Sequence, residues 1–144
     1  MILITGSNGQ LGTELCHLLD ERNISYTATD AVEMDITDKD AVDAVFQAVK
    51  PTFVFHCAAY TAVDKAEDEG KELDEKINVL GTKNIAEAAE AAGAVLVYIS
   101  TDYVFDGTNA GEYPVDAETN PKNEYGRTKL AGEQLVQSIC SNYY

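Results

Sequence analysis

The first twelve residues constrain the fold more than any other stretch of the chain. Met1-Ile-Leu-Ile-Thr-Gly-Ser-Asn-Gly-Gln-Leu-Gly12 runs as a short apolar segment, breaks at Gly6, Gly9 and Gly12, and opens an amphipathic segment. That order predicts a strand, a tight turn and a helix start. Glycines at this spacing let the backbone bend sharply, approach a pyrophosphate with no Cβ in the way, and pack the new helix closely on a sheet. The unpaired N–H groups at the helix N-terminus then face the phosphates. A glycine-rich connection without a ligand would carry the same letters. The strand before the turn and the helix after it are the context that favours dinucleotide binding.

The remaining segments repeat this alternation. Gln10 to Arg22 carries Leu11, Leu15, Leu18 and Leu19 on one helical stripe, and Tyr26 to Thr29 reads as a second strand ending at Asp30. A carboxylate at that tip accepts the hydroxyls of an adenosine ribose and repels a 2′-phosphate, which favours NAD over NADP; a plain turn residue is the competing reading. Asp35 and Ile36 could flank an adenine. Thr37 or Asp38 can cap a helix through Val42, Phe46 and Val49 that Pro51 ends. Phe53 to Cys57 is a third strand, running into the small residues of Ala58-Ala-Tyr-Thr61, where a ligand can approach.

From Asp64 to Ala92 the pattern is helical, interrupted near Gly70, with Ile77, Leu80, Ile85, Ala88 and Ala89 as its apolar face and Asp64 to Glu75 as a solvated acidic face. Gly93 stops it, and Ala94 to Ile99 is a fourth buried strand closed by Ser100, Thr101 and Asp102. The order β-α-β-α-β-α-β predicts an α/β protein with a Rossmann-like, doubly wound parallel sheet. Ligands of such sheets bind beyond the carboxyl ends of the strands, where Gly6, Asp30, Ala59 and Thr101 all fall.

Composition narrows the partners. The net charge of −15 argues against nucleic acid, whose backbone needs a basic patch. No apolar run approaches the roughly 20 residues of a membrane span, and Met1 enters a strand without a leader, so the expected setting is the cytoplasm. Cys16, Cys57 and Cys140 lack metal-type spacing and read as reduced thiols, and neither His17 nor His56 has a partner at ligand spacing, so no metal is expected.

Asp102 to Glu124 is a long connection leading into Tyr125-Gly-Arg-Thr-Lys129, which starts a helix through Leu130, Leu135, Val136 and Ile139. Tyr125 and Lys129 lie one turn apart on one face. A phenol near its ordinary pKa of about 10 is a poor proton donor at neutral pH, and an ammonium beside it lowers that pKa, so that the pair can protonate a carbonyl oxygen as hydride arrives. Thr101 could hold the same oxygen. Tyr and Lys recur at this spacing by chance; the glycine turn and the Ser100-Thr101 strand end give the pair its meaning.

Four blocks together resemble a known family. Gly6-Ser-Asn-Gly-Gln-Leu-Gly12, His56 to Glu67, Ser100-Thr-Asp-Tyr-Val-Phe-Asp-Gly107 and Tyr125-Gly-Arg-Thr-Lys-Leu-Ala-Gly-Glu133 are similar to the dTDP-4-dehydrorhamnose reductases, a branch of the extended short-chain dehydrogenases/reductases. The block from Ser100 to Gly107 is particular to that branch. The resemblance implies reduction of the C4 keto group of dTDP-4-dehydro-L-rhamnose with NADPH or NADH. It implies that Gly9, Gln10 and Leu11 meet the pyrophosphate, Asp30 the ribose, and Asp35 and Ile36 the adenine, with Ala59, Tyr60 and Thr61 lining the rest of the groove. Tyr125, Lys129 and Thr101 would be catalytic, and Thr101, Asp102 and Tyr103 would contact the dTDP-sugar. Glu14 matches a position that in some members helps to bind Mg²⁺.

Members of the family continue for about as many residues again, adding further strands and a substrate domain. Residues 1–144 therefore read as the dinucleotide-binding part without that C-terminal domain. The expectations are weak coenzyme binding, very poor turnover, and an open apolar edge beside the fourth strand through which copies could self-associate. A non-catalytic NADP-binding regulatory subunit of the same fold, or another nucleotide-sugar reductase or epimerase, would share most of these motifs.

Overall fold

The computed structural model describes all 144 residues. Strands β1 (Ile2–Thr5), β2 (Tyr26–Thr29), β3 (Phe53–His56) and β4 (Val95–Tyr98) form one parallel sheet in the order β2-β1-β3-β4. Ile2 stands opposite Tyr26 on one side and Phe53 on the other, and Phe53 opposite Val95, so the carboxyl ends are level. The connections carry α1 (Gln10–Glu21), α2 (Lys39–Val49), the short α3 (Val63–Ala66) and α4 (Lys71–Asp74), a π-helical segment Glu75–Gly81, and α5 (Thr82–Ala92); α6 (Glu124–Ile139) follows the long loop. This is the expected Rossmann-like sheet. No helix is long and apolar enough to cross a membrane.

Local chemistry sets the boundaries. Asp38, not Thr37, caps α2: its carboxylate accepts the N–H groups of Asp40 and Ala41, whereas the Thr37 N–H and hydroxyl both donate to Asp35. The helix closes at Lys50, which adopts the left-handed conformation just before Pro51.

The chain passes from β1 outward to β2 and then back across β1 to β3. With right-handed crossovers, α1 and α2 must lie on opposite faces, and α5 and α6 follow α2. Between that layer and the sheet lies the main core, where Leu3, Val54 and Leu96 meet Val42, Phe46, Ile85, Ala89 and Val136. Ile4 and Leu19 are buried on the other face, outside this cluster.

Four expectations need correction. β4 is not buried on both faces: only Leu96 is fully covered, and Phe53 beside it remains 43% exposed. Leu11 and Leu18 are likewise exposed on α1. The reason is width, since one helix about 10 Å across cannot cover four strands spaced about 4.8 Å apart. The stretch from Asp64 to Glu75 is not wholly a solvated face, because Asp74 is fully buried, and the π-helical segment leaves Leu80 exposed while Ile85, Ala88 and Ala89 still reach the core. Finally, the outer edge of β4 is occupied. Leu96 N–H donates to the Asn142 carbonyl at 3.0 Å, Tyr98 N–H to that of Tyr144 at 2.9 Å, and Tyr144 N–H to that of Leu96 at 2.9 Å, so residues 142–144 begin a fifth parallel strand where an open edge was expected.

Candidate active site

The glycine turn is forced by contact as well as by conformation. Gly6 has φ +65°, and a Cβ there would stand 2.6 Å from the Ala58 backbone N and Cα. A Cβ on Gly12 would lie 2.2 Å from the Gly6 carbonyl oxygen. Loop and helix are thus seated directly on the end of β3. Gly9, the N-cap of α1, contributes no side-chain cap, so the first N–H groups of that helix are left for a ligand. At the tip of β2, Asp30 is fixed by two backbone donors, Asn8 N–H at 2.9 Å and Ala31 N–H at 2.8 Å.

Two adjoining cavities open beyond the strand ends. One, of about 350 Å³, brings together Gly6, Gly9, Asp30, Asp35, Ile36 and Ala59. The other, of about 530 Å³, gathers Gly9, Gln10, Leu11, Gly12, Ala59 and Thr61 with Tyr125 and Lys129, and Glu14 at its rim. Gly9, Cys57 and Ala59 line both, so the two form one groove across the sheet. Hydrogen bonding by Thr37 holds the Asp35 carboxyl below its usual range. The groove lining contains Lys129 as its only cation, at the end away from Asp30.

Tyr60, Thr101, Asp102 and Tyr103 lie outside both linings. Tyr60 is held by its backbone, with its N–H donating to Asn78 Oδ1 at 2.8 Å and its carbonyl accepting from Asn78 Nδ2 at 3.1 Å, while its hydroxyl packs where a Gly70 side chain would be. Thr101 caps a short 3₁₀ turn, Asp102–Val104, by accepting the Tyr103 N–H. The Tyr103 ring meets that of Tyr125 edge to face at 5.8 Å.

Tyr125 and Lys129 enter on the first turns of α6, whose N-cap Asn123 accepts the Gly126 N–H at 2.7 Å. Lys129 is buried, with Nζ 4.2 Å above the centroid of the Tyr98 ring. Burial pushes its ammonium down to about 8, against the pull of Asp74 and Glu133. Tyr125 departs from expectation. Burial raises its phenol above the ordinary value, Asp74, Asp102 and Tyr103 add to the rise, and an interaction with Thr101 opposes it. The ammonium that was expected to lower this pKa rests on Tyr98, and a phenol in an apolar wall is costly to ionise.

Three polar residues behind the pair had no signal in the sequence. Asn78 Nδ2 donates to Asp74 Oδ1 at 2.6 Å, and the Thr128 hydroxyl, one residue before Lys129, lies 2.9 Å from Asp74 Oδ2 and 3.0 Å from the Tyr125 carbonyl. Burial is the main cause that raises the Asp74 carboxyl pKa. The Thr128 hydroxyl has Asp74 and the Tyr125 carbonyl as acceptors and the Asn78 amide donates to the same carboxyl, so the buried Asp74 is paired from both α6 and the π-helical segment. Asp74→Ala removes the buried acceptor that the Asn78 amide and the Thr128 hydroxyl share and is expected to cost about 2 kcal/mol in urea unfolding. Asp74→Asn keeps both partners and should stay within about 0.5 kcal/mol of the parent, since the buried polar groups remain paired. Equal losses in the two variants would show that the network is not what holds α4 to α6.

His56 was also unassigned. It is buried beneath the groove, its Nδ1 2.7 Å from the Thr5 hydroxyl and its Nε2 3.1 Å from that of Thr82.

The sequence and the fold are similar to those of proteins of known kind. The chain is 44% identical to a dTDP-4-dehydrorhamnose reductase from Streptomyces griseus over 95% of its own length and 45% of that protein's. Among solved structures it superposes with a TM-score of 0.95 on a dTDP-4-dehydrorhamnose reductase from Clostridium acetobutylicum, at 48% identity, covering 99% of this chain and 51% of that one. A dTDP-4-dehydrorhamnose reductase from Bacillus anthracis, solved in complex with NADP, matches with a TM-score of 0.94 and 42% identity over 99% of this chain and 50% of its own. The chain thus spans about half the length of the relatives it matches. The pattern of the family described as the RmlD substrate binding domain matches residues 1–144, and the chain belongs to that family.

Proposed function

We propose that residues 1–144 form the coenzyme-binding half of an NAD(P)H-dependent reductase that converts dTDP-4-dehydro-L-rhamnose to dTDP-L-rhamnose. The observation that carries this reading is the single groove joining the uncapped glycine turn to Tyr125 and Lys129. The coenzyme fits on structural grounds: Gly6 and Gly12 leave no room for a Cβ, and the turn they make leaves helix N–H groups free for a pyrophosphate. Glycines 9 and 12, Gln10 and Leu11 would hold the phosphates, Asp30 the ribose, Asp35 and Ile36 the adenine, and Ala59 and Thr61 the middle of the groove.

A bound nicotinamide would supply the hydride for C4 of the sugar. Tyr125 delivers its phenolic proton to the C4 oxygen, and the high proton affinity of the buried phenol keeps that proton in place until negative charge develops on the oxygen. Lys129 then stabilises the phenolate left behind, and Thr101 orients the carbonyl. Asp102 and Tyr103, exposed beside Thr101, would contact the dTDP-sugar. The presence of all three of Thr101, Tyr125 and Lys129 favours an enzyme over a coenzyme-binding regulatory subunit. Three free thiols suit a cytoplasmic setting. The relatives being about twice as long, these residues alone are expected to bind coenzyme weakly and to reduce sugar nucleotide very poorly.

The test is a fluorescence titration with NADH and NADPH. NADH should bind at least about ten-fold more tightly, because Asp30 and Asp35 line the adenosine end with no cation to meet a 2′-phosphate. Asp30→Ala should narrow that difference. Failure of the folded protein to bind either coenzyme would overturn the reading, and tighter NADPH binding would overturn the role of Asp30.

A further inference from the structure

We propose that Tyr98 is the positioning residue for Lys129, gripping it at both ends, with the ring beneath the side-chain nitrogen and the hydroxyl on the backbone. The Nζ atom lies 4.2 Å from the ring centroid, and the Tyr98 hydroxyl donates to the Lys129 carbonyl at 2.9 Å. A single residue at the end of β4 therefore fixes both the turn of α6 that carries Lys129 and the direction of its side chain. The inference rests on the reading of Lys129 as part of the coenzyme groove.

The surroundings are shaped for this contact. Gly132 follows Lys129 by three residues and so lies over the same part of the sheet, and a Cβ on it would stand 2.5 Å from the Tyr98 hydroxyl oxygen. The missing side chain is what admits the phenol under the helix. The Tyr98 ring also neighbours His56, with centroids 6.1 Å apart and planes tilted by 37°. Lys129 is 4% exposed and makes no ion pair, and its Nζ has no hydrogen-bond acceptor within the chain. The largely buried side chain brings its cation to the cavity wall, where the face of the aromatic ring is the near source of compensating negative potential.

The other ionisable groups facing Lys129 are few. Asp74 at the end of α4 and Glu133 on α6 favour the ammonium. His56 on β3, pushed down to about 3 by burial, is neutral above that pH and does not repel it. Tyr125, on the preceding turn of α6, keeps its proton at neutral pH and adds no charge. Neither carboxylate forms an ion pair with the nitrogen, so the ring is the direct contact that orients it.

The test follows Lys129 itself by NMR in the uniformly ¹³C,¹⁵N-labelled chain, with its Cε–Hε signal identified by its loss in Lys129→Arg. In the parent the signal should be displaced upfield by the ring and should titrate at about 8. Tyr98→Phe keeps the ring and should preserve both features. Tyr98→Leu should lose the upfield displacement and titrate about one pH unit lower, the loss of a cation–π contact of ordinary strength. A purely structural tyrosine would change melting temperature without moving that titration. An undisplaced parent signal, or an unchanged titration in folded Tyr98→Leu, overturns the proposal. If Tyr98→Leu does not fold, the parent and Tyr98→Phe spectra decide it.

NADH titration separates this from the active-site reading. Tyr98→Leu and Lys129→Ala should each weaken binding about ten-fold, and Tyr98→Phe less than about two-fold, as expected for a contact worth one order of magnitude. Shifted Lys129 signals with undiminished NADH affinity would leave the grip on Lys129 standing and remove its place in the coenzyme site.

Discussion

Gly6→Ala is expected to abolish measurable coenzyme binding and to cost about 2–5 kcal/mol of stability, the sum of a left-handed alanine and an overpacked contact. Both causes act at one atom. The residue sits at φ +65°, and its new Cβ would stand 2.6 Å from the backbone N and Cα of Ala58. Those are main-chain atoms at the end of β3, tied further by the Ala58 N–H donating to Thr5 Oγ1 at 3.2 Å, so no side chain can swing aside. Gly93 separates the two causes, because it has the same φ of +65° with nothing within 4 Å of an added Cβ. Gly93→Ala should therefore lose only the conformational part, about 1–2 kcal/mol, and leave coenzyme binding untouched. Gly12→Ala, at an ordinary φ but 2.2 Å from the Gly6 oxygen, should show the reverse, with binding lost through displacement of the helix start. Urea unfolding and NADH fluorescence on the three variants check the scheme. A Gly6 variant no less stable than the Gly93 one would mean that the Ala58 loop yields freely and that the turn is not braced by β3.

What was legible in the sequence was local. The strand at 26–29, the stop at Lys50 before Pro51 and the glycine turn each depend on a few neighbouring side chains, and each stands where the residues indicate. Asp74 shows why the rest was hidden. Among many acidic neighbours it reads as one more solvated carboxylate, and its burial depends on Thr128, which is 54 positions away. The direction of Lys129 is hidden for the same reason, since the ring it rests on is 31 positions earlier on a different strand. The Tyr125–Lys129 spacing predicted a shared face, and both do line one cavity. Spacing along a helix says nothing of what lies beneath it. The alignment of residues 142–144 along β4 is a pairing between distant segments, and neither carries a turn signal to announce it.

The other large effect is an acid lability centred on His56. Its imidazole is pushed down to about 3 from an ordinary 6.5 by burial, with the Lys129 charge adding to the depression. Between those values the unfolded chain takes up a proton that the folded chain refuses. The contribution is therefore fully present above pH 6.5 and is lost as pH falls, at about 1.4 kcal/mol per pH unit, or roughly 3 kcal/mol by pH 4. Asp74 works in the opposite sense, since its raised pKa favours the folded state at low pH and costs stability as pH rises above 3.8. The net profile mixes the two, so the informative quantity is the difference in unfolding free energy between the parent and His56→Gln from pH 7 to pH 4. That difference should close as pH falls, and the parent His56 ring signal should not titrate in this range by NMR. A ring that titrates near 6.5, or parallel profiles for the two proteins, would sink the argument. The effect would also reach the groove. The Thr5 hydroxyl that lies 2.7 Å from His56 Nδ1 accepts the Ala58 N–H, and Ala58 is the backbone against which Gly6 is seated. A proton added to the neutral ring makes both of its nitrogens donors, so the threonine hydroxyl that had donated to the ring, of Thr5 or of Thr82, loses its acceptor. Near pH 3, where the folded ring takes its proton, the seat of Gly6 on Ala58 loosens, so NADH affinity of the folded protein should hold from pH 7 to pH 4 and decline only below that range.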